Sequence, residues 1–228
     1  NAQFNDSINL SKSEHFSEVK TFYWENPILL NNLKLKNYTK TSVNVDFKDL
    51  NIKRAQTAEE ILNYNFSSEG IYNFNEKIKV FGDFKFTKQN EKNFGYNLSS
   101  SRTEDEMVLP ANYFYSAKKA DWSNQKYAFT GGLAYNVINH LAIGAKINYR
   151  NESFARKSDP RPEISSNAID FDGYLSYNVG KSTVQIGGLF KIKDELTSMY
   201  YEDTYLNPSS DSLYYIKLSS GYGYNIYD

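Results

Sequence analysis

The chain has 228 residues, of which 23% are charged, with a net charge of -1 and a mean hydropathy of -0.65. That balance leaves no basic surface to attract nucleic acid, and the absence of any run of about 18 apolar residues excludes helical membrane spans. There is no cysteine, which excludes disulfide scaffolds and thiolate metal sites.

Residues 1–38 are polar and irregular around an apolar island, Asn26-Pro27-Ile28-Leu29-Leu30. They read as a periplasmic lead-in with one short helical turn between Pro27 and Leu33. The chain opens without a basic n-region or an apolar h-region, which for an exported protein implies a processed N-terminus.

Residues 39–228 carry a period-two pattern, the mark of β-strands. Eight strands are expected. The first, about 41–49, sets Val43, Val45 and Phe47 against Asn44, Asp46 and Lys48. The second, about 63–74, sets Tyr64, Phe66, Tyr72 and Phe74 against Asn65, Ser67 and Glu69. The third, 78–86 with an extension as far as Leu98, alternates Ile78, Val80, Phe84 and Phe86 with Lys79, Asp83 and Lys85. The fourth, about 126–137, carries Tyr127, Phe129, Leu133 and Tyr135. The fifth, about 141–150, alternates Ile143, Ile147 and Tyr149 with Lys146, Asn148 and Arg150. The sixth, about 168–179, alternates Ile169, Phe171 and Leu175 with Asp170, Asp172 and Tyr174. The seventh, 183–193, alternates Val184, Ile186, Phe190 and Ile192 with Gln185, Lys191 and Lys193, and the eighth spans about 213–227.

Connections alternate in length. Asn75-Glu76-Lys77, Ile138-Asn139-His140 and Gly180-Lys181 are tight hairpin turns. Residues 51–62, 87–125, 151–167 and 194–212 are longer, charged and Pro-containing in places. A polar and an apolar face on strands of about ten residues, with short and long connections in alternation, is the pattern of an antiparallel transmembrane β-barrel. Its short turns would be periplasmic and its long loops extracellular. The 20 Tyr and 15 Phe, several at strand ends, suit both strands and membrane interfaces. A soluble antiparallel sandwich would show the same alternation. The final Tyr227-Asp228 lacks the terminal aromatic of complete outer-membrane barrels. The expectation is therefore about eight strands as the N-terminal part of a larger barrel, although eight could close a small one.

The chemistry follows from the polar face. Glu69, Asp83, Lys85, Lys146, Arg150, Asp170, Asp172, Lys191 and Lys193 are the candidate lumen-lining residues. Asp170 and Asp172 should pair with basic residues of the flanking strands, chiefly Lys191 and Lys146 or Arg150. The bland reading is a salt-bridged lining, and the sharper one a selectivity lining for a charged solute. Glu69 and Asp83 should stand opposite one another, with Lys85 neutralising them. Glu104-Asp105-Glu106 is a solvated acidic loop or, less simply, an oxygen site for Ca²⁺. Asp159 and Arg161, in Asp159-Pro160-Arg161-Pro162, belong to a stiffened loop or a partner contact. His15 and His140 are the only histidines, and neither is placed with an extracellular Ser or Asp pair, so a hydrolase triad is poorly supported. No phosphate loop or dinucleotide fingerprint is present, and no cofactor is called for.

Several stretches resemble an outer-membrane β-barrel family of the Bacteroidetes type. They are Asn26-Pro27-Ile28-Leu29-Leu30, Leu109-Pro110, and Tyr149-Arg150 followed by Asp159-Pro160-Arg161-Pro162. The resemblance covers most of the chain in layout and is specific around residues 109–162. It implies a Gram-negative outer membrane, a lipid bilayer as partner, and a TonB-dependent transporter or other outer-membrane complex nearby. It implies no activity and no catalytic residue. The expected function is non-enzymatic, a pore or an accessory barrel of an uptake or secretion assembly. A surface-binding barrel with recognition loops, and a barrel-embedded hydrolase, are the alternatives.

Overall fold

The computed structural model describes residues 23–32, 37–50, 57–98, 113–180, 182–200, 217–219 and 225–226. A 3₁₀ helix at Pro27–Asn32 is followed by nine strands: β1 (Tyr38–Asp49), β2 (Glu60–Asn73), β3 (Ile78–Asn97), β4 (Tyr113–Ile138), β5 (Leu141–Arg156), β6 (Arg161–Val179), β7 (Ser182–Tyr200), β8 (Lys217–Ser219) and β9 (Asn225–Ile226). Strands β1 to β7 form one antiparallel meander in chain order, and β8 pairs with β4 and β9. Among the described residues the sheet is open, with β1 and β7 at its edges. The all-β antiparallel expectation holds, and closure into a barrel is not observed.

The expected turns are in place. Asn75 Oδ1 accepts the amides of Lys77 and Ile78 at 2.9 and 2.8 Å, closing the β2–β3 turn. Asn139 and His140 form the β4–β5 turn, and Gly180 sits at φ 59 at the head of the β6–β7 turn, where glycine meets no side-chain penalty. Lys181 lies outside the described residues, as do His15, Glu104-Asp105-Glu106 and Leu109-Pro110.

The long connections are shorter than expected. β3 does continue through residues 87–97, and β4 begins at Tyr113 rather than near 126. The expected loop 151–167 contracts to residues 157–160, between the ends of β5 and β6. β2 starts at Glu60, and β7 runs on to Tyr200. The span of the single expected eighth strand instead holds two short strands, β8 and β9, which pair antiparallel with each other, Leu218↔Ile226 and Ser219↔Asn225, because a strand cannot run straight through both. Strands of up to 26 residues greatly exceed the roughly 9–11 that cross a bilayer.

The reason lies in the two faces. One face, here the open face, displays Val43, Val45, Tyr64, Phe66, Tyr127, Phe129, Ile147, Phe171, Ile186 and Phe190 to the outside, 37–76% exposed. These residues are register neighbours from strand to strand, for example Val43↔Phe66↔Phe86↔Tyr127. The apolar band is bounded by Tyr64, Tyr127 and Tyr149 on one side and by Tyr72, Phe74 and Tyr177 near the tight turns. Tyr64 and Tyr72 are eight residues apart, or about 26 Å of strand.

Beyond Tyr127 and Tyr149, away from the tight turns, the faces exchange character. On β4 to β6 the open face becomes polar, with Ser123 and Gln125 on β4, Asn151 and Ser153 on β5, and Ser165 and Asn167 on β6, whereas Phe47 on β1 and Leu196 on β7 keep it apolar at the edges. The packed face gains an apolar cluster among the buried Glu91, Asn124, Arg156 and Ser166. Trp122, Phe154, Ile164 and Leu98 are each at most 1% exposed, and Phe94 and Ala58 join them. Phe94 meets Trp122 edge-on at 6.2 Å. A bulge between Glu91 and Phe94, with Asn93 at φ 52, keeps both Glu91 and Phe94 on the packed face. Asn is one of the residues that tolerate this left-handed conformation.

Candidate functional site

The site is the packed face beside the apolar band. Residues 23–32 lie against it. Trp24 and Leu30 cluster with Ile71, Phe81 and Ala134, and Trp24 tilts onto Phe81 at 5.4 Å. Polar anchors surround this contact. Lys79 Nζ donates to the carbonyls of Leu30 and Asn31 at 2.9 and 3.3 Å. Tyr174 Oη donates to the Glu25 carbonyl at 2.8 Å. The amides of Asn26 and Gln185 exchange two hydrogen bonds, at 3.0 and 2.9 Å. Gly144 makes the fit possible: a Cβ there would lie 2.8 Å from Ile28 Cγ1 and 3.3 Å from the Ile28 amide nitrogen. The short helical turn after Pro27 is thus found, seated on the sheet.

Charged residues on this face fall in rows set by the register. One row is Glu69–Asp83–Thr130–Asn148–Asp170–Lys191. The next, two residues along each strand, is Ser67–Lys85–Ala128–Arg150–Ala168–Lys193. Three acids therefore stand about 7 Å from three bases. Ion pairs bridge the rows: Lys85–Asp83 at 3.5 Å and Arg150–Asp170 at 3.4 Å. Lys85 and Arg150 are more than half exposed, so these pairs contribute little stability. Lys146 and Asp172, by contrast, form an ion pair with both side chains largely buried, at 13% and 8% exposed.

Each candidate can now be placed. Glu69 and Asp83 are register partners and both nearly buried. Tyr38 Oη donates to Glu69 Oε1 at 3.2 Å, and Lys85 serves Asp83. Asp170 faces Lys191 in register, as expected, but its ion pair goes to Arg150. Lys191 makes no ion pair among the described residues, and Lys193 turns along its own strand to Glu195 at 3.4 Å. Lys146, Asp170, Asp172 and Lys191 converge on one cleft of about 440 Å³, together with Asn148, Tyr174 and Glu25. The alternation puts Tyr174 on the polar face without making it a lining candidate, and nothing in the sequence points to Glu25. Gly187 lies under the Tyr174 ring, where a Cβ would come within 2.9 Å of Tyr174 Cδ1.

Asp159 and Arg161 lie at the short β5–β6 connection. Asp159 is 1% exposed, and Arg161 Nε lies 2.8 Å from its Oδ1. Arg156, itself buried, donates to the carbonyls of Pro160 and Lys118. The Asp159 side chain is thus turned inward against Arg161. On the open face beyond the tyrosine belt, Glu60 lies 2.7 Å from Lys92, and its hydrogen bond and charge hold that ammonium above the ordinary lysine range.

A family model described as "Family of unknown function (DUF6850)" matches residues 27–228, so the chain belongs to that family. No curated protein and no solved structure matches the chain.

Proposed function

We propose that this member of the family is a non-enzymatic outer-membrane β-barrel protein, and that the described sheet is its wall. Closure would be completed by strands outside the described path. The observation that carries the reading is the exchange of faces along the same strands. Beside the tight turns, large apolar side chains point outward and charges point to the packed face, the reverse of a water-soluble sheet and the arrangement lipid demands. At the roughly 35–45° tilt of barrel strands, the band of about 26 Å of strand rises about 20 Å, somewhat short of the ~25 Å apolar belt of such barrels, and tyrosines edge it on both sides. In this reading the tight turns are periplasmic, and the strand extensions beyond Tyr127 and Tyr149 stand outside the bilayer, where an apolar core and a polar surface are again favourable.

Within that reading, residues 23–32 act as a plug. They occupy the polar face at the level of the belt, while the Trp122–Phe154 core fills it farther out. An accessory barrel of an uptake or secretion assembly therefore fits better than an open pore. A surface-binding role is the second reading, favoured by the ordered extensions of β3 to β7.

Reconstitution tests both levels. The purified protein should float with lipid vesicles through alkaline carbonate and give little sustained conductance in planar bilayers. Recovery in the aqueous phase without detergent would overturn the membrane reading. Steady, ohmic conductance would overturn the plug and restore the open pore.

A further inference from the structure

The 440 Å³ cleft on the packed face is within the ~300–1,000 Å³ range of small-molecule pockets, and its charges are not all satisfied internally. Lys146 and Asp172 hold each other, and Asp170 takes Arg150. That leaves one cation, Lys191, and one anion, Glu25, each without an ion pair among the described residues. They come from different walls: Lys191 from β7, and Glu25 from the N-terminal segment held over the sheet by Tyr174 and Gln185. Asn148, whose amide makes no hydrogen bond among the described residues, stands in the same register row as Lys191, with Asp170 between them. Gly187 and Gly188 leave the floor without side chains.

We propose that this cleft binds a small zwitterion, a free amino acid or short peptide, with its carboxylate on Lys191 and its ammonium on Glu25. A purely anionic solute would meet Asp170 and Asp172, and a purely cationic one Lys146 and Lys191. A molecule carrying both charges completes both unpaired residues at once through charge-assisted hydrogen bonds. Because Glu25 belongs to the plug, the bound solute would also tie the plug to β7. The inference rests on the proposed function only in taking the packed face as the solute-facing side.

The test is calorimetric titration of the full chain in detergent with glycine, diglycine and triglycine, and with N-acetylated and C-amidated forms of whichever binds. The free zwitterion should bind at least tenfold more tightly than either blocked form. Lys191→Gln should weaken the free ligand about tenfold and abolish its advantage over the amidated form, while keeping its advantage over the acetylated one. Glu25→Gln should do the converse. No binding by any of the three, or equal binding of blocked and free forms, overturns the proposal. So does insensitivity to both substitutions. Vesicle flotation of the same preparation separates the two readings: a protein that floats but does not bind refutes the cleft alone, and one that binds but stays in water refutes the membrane alone.

Discussion

The same strands obey opposite rules on the two sides of Tyr64, Tyr127 and Tyr149. Towards the tight turns, Ile143, Phe171 and Ile186 are exposed while Asp83 and Asp172 are nearly buried. Away from the turns, Trp122, Phe154 and Ile164 are buried while Ser153 and Ser165 are exposed. Backbone pairing is continuous across the boundary: β5 and β6 stay in register from Leu141↔Tyr177 to Ala155↔Glu163. The backbone is thus indifferent to the change, and the surroundings of each face decide which side chains it carries. Alternation identifies a strand, but only the sense of the alternation identifies its solvent.

The comparison can be broken at several points. The largest effect is expected at the far core, where Trp122→Ala should cost about 3–5 kcal/mol, measured by denaturant unfolding of the lipid-reconstituted protein. A loss below about 1 kcal/mol would show that the far half lacks a core of its own. Next comes the open face. Ile186→Arg in the belt should cost about 2–4 kcal/mol in lipid, whereas Ser165→Arg, on the same face beyond the belt, should stay within about 0.5 kcal/mol. Equal costs for the two would mean that both halves face the same solvent.

The plug seat should respond more modestly. Gly144→Val pushes a side chain into Ile28 and should cost about 1–3 kcal/mol, with residues 23–32 becoming accessible to protease. Unchanged protease protection would show that this segment does not depend on the Gly144 seat. The smallest effect is expected at Asp170→Asn. Its partner Arg150 is 56% exposed, so the loss should be about 0.2–1 kcal/mol. Asp172→Asn should cost clearly more, because it strands the largely buried Lys146. Identical losses at the two positions would remove the distinction between a wet and a buried pair.

Much of this was legible in the residues. The faces of the strand segments near the tight turns follow from period two, and the three turns fix the register, so Glu69 opposite Asp83 and Asp170 opposite Lys191 could be read directly. The far halves look like loops in the sequence because their charged and polar residues match those of solvated connections. Ser165, Asn167 and Asn151 are indeed solvent-side, but Ile164, Trp122 and Phe154 between them carry a second, inward alternation. The bulge at Asn93 blurs that pattern further by shifting its phase in β3. Within the cleft, Lys146, Asp170, Asp172 and Lys191 could be named from their strands. Tyr174 shares their polar face by the same alternation, but Glu25 could not be named, because its contact with Tyr174 spans 149 residues.

By itself the sequence determined which residues share a face near the tight turns and which strands pair across those turns, because both depend on local backbone geometry and on turns of two or three residues. Tertiary structure decided three things that no local pattern encodes. It decided that an apolar island near the N-terminus folds back onto the sheet, where Gly144 leaves room for Ile28. It decided which of several bases within reach an acid would choose: Asp170 turned to Arg150 and left Lys191 open. It decided that Asp159, in a segment rich in charge and proline, would be buried against Arg161. In each case the outcome depends on what a long-range contact excludes or brings near, and that is set by packing between segments rather than by the residues of any one of them.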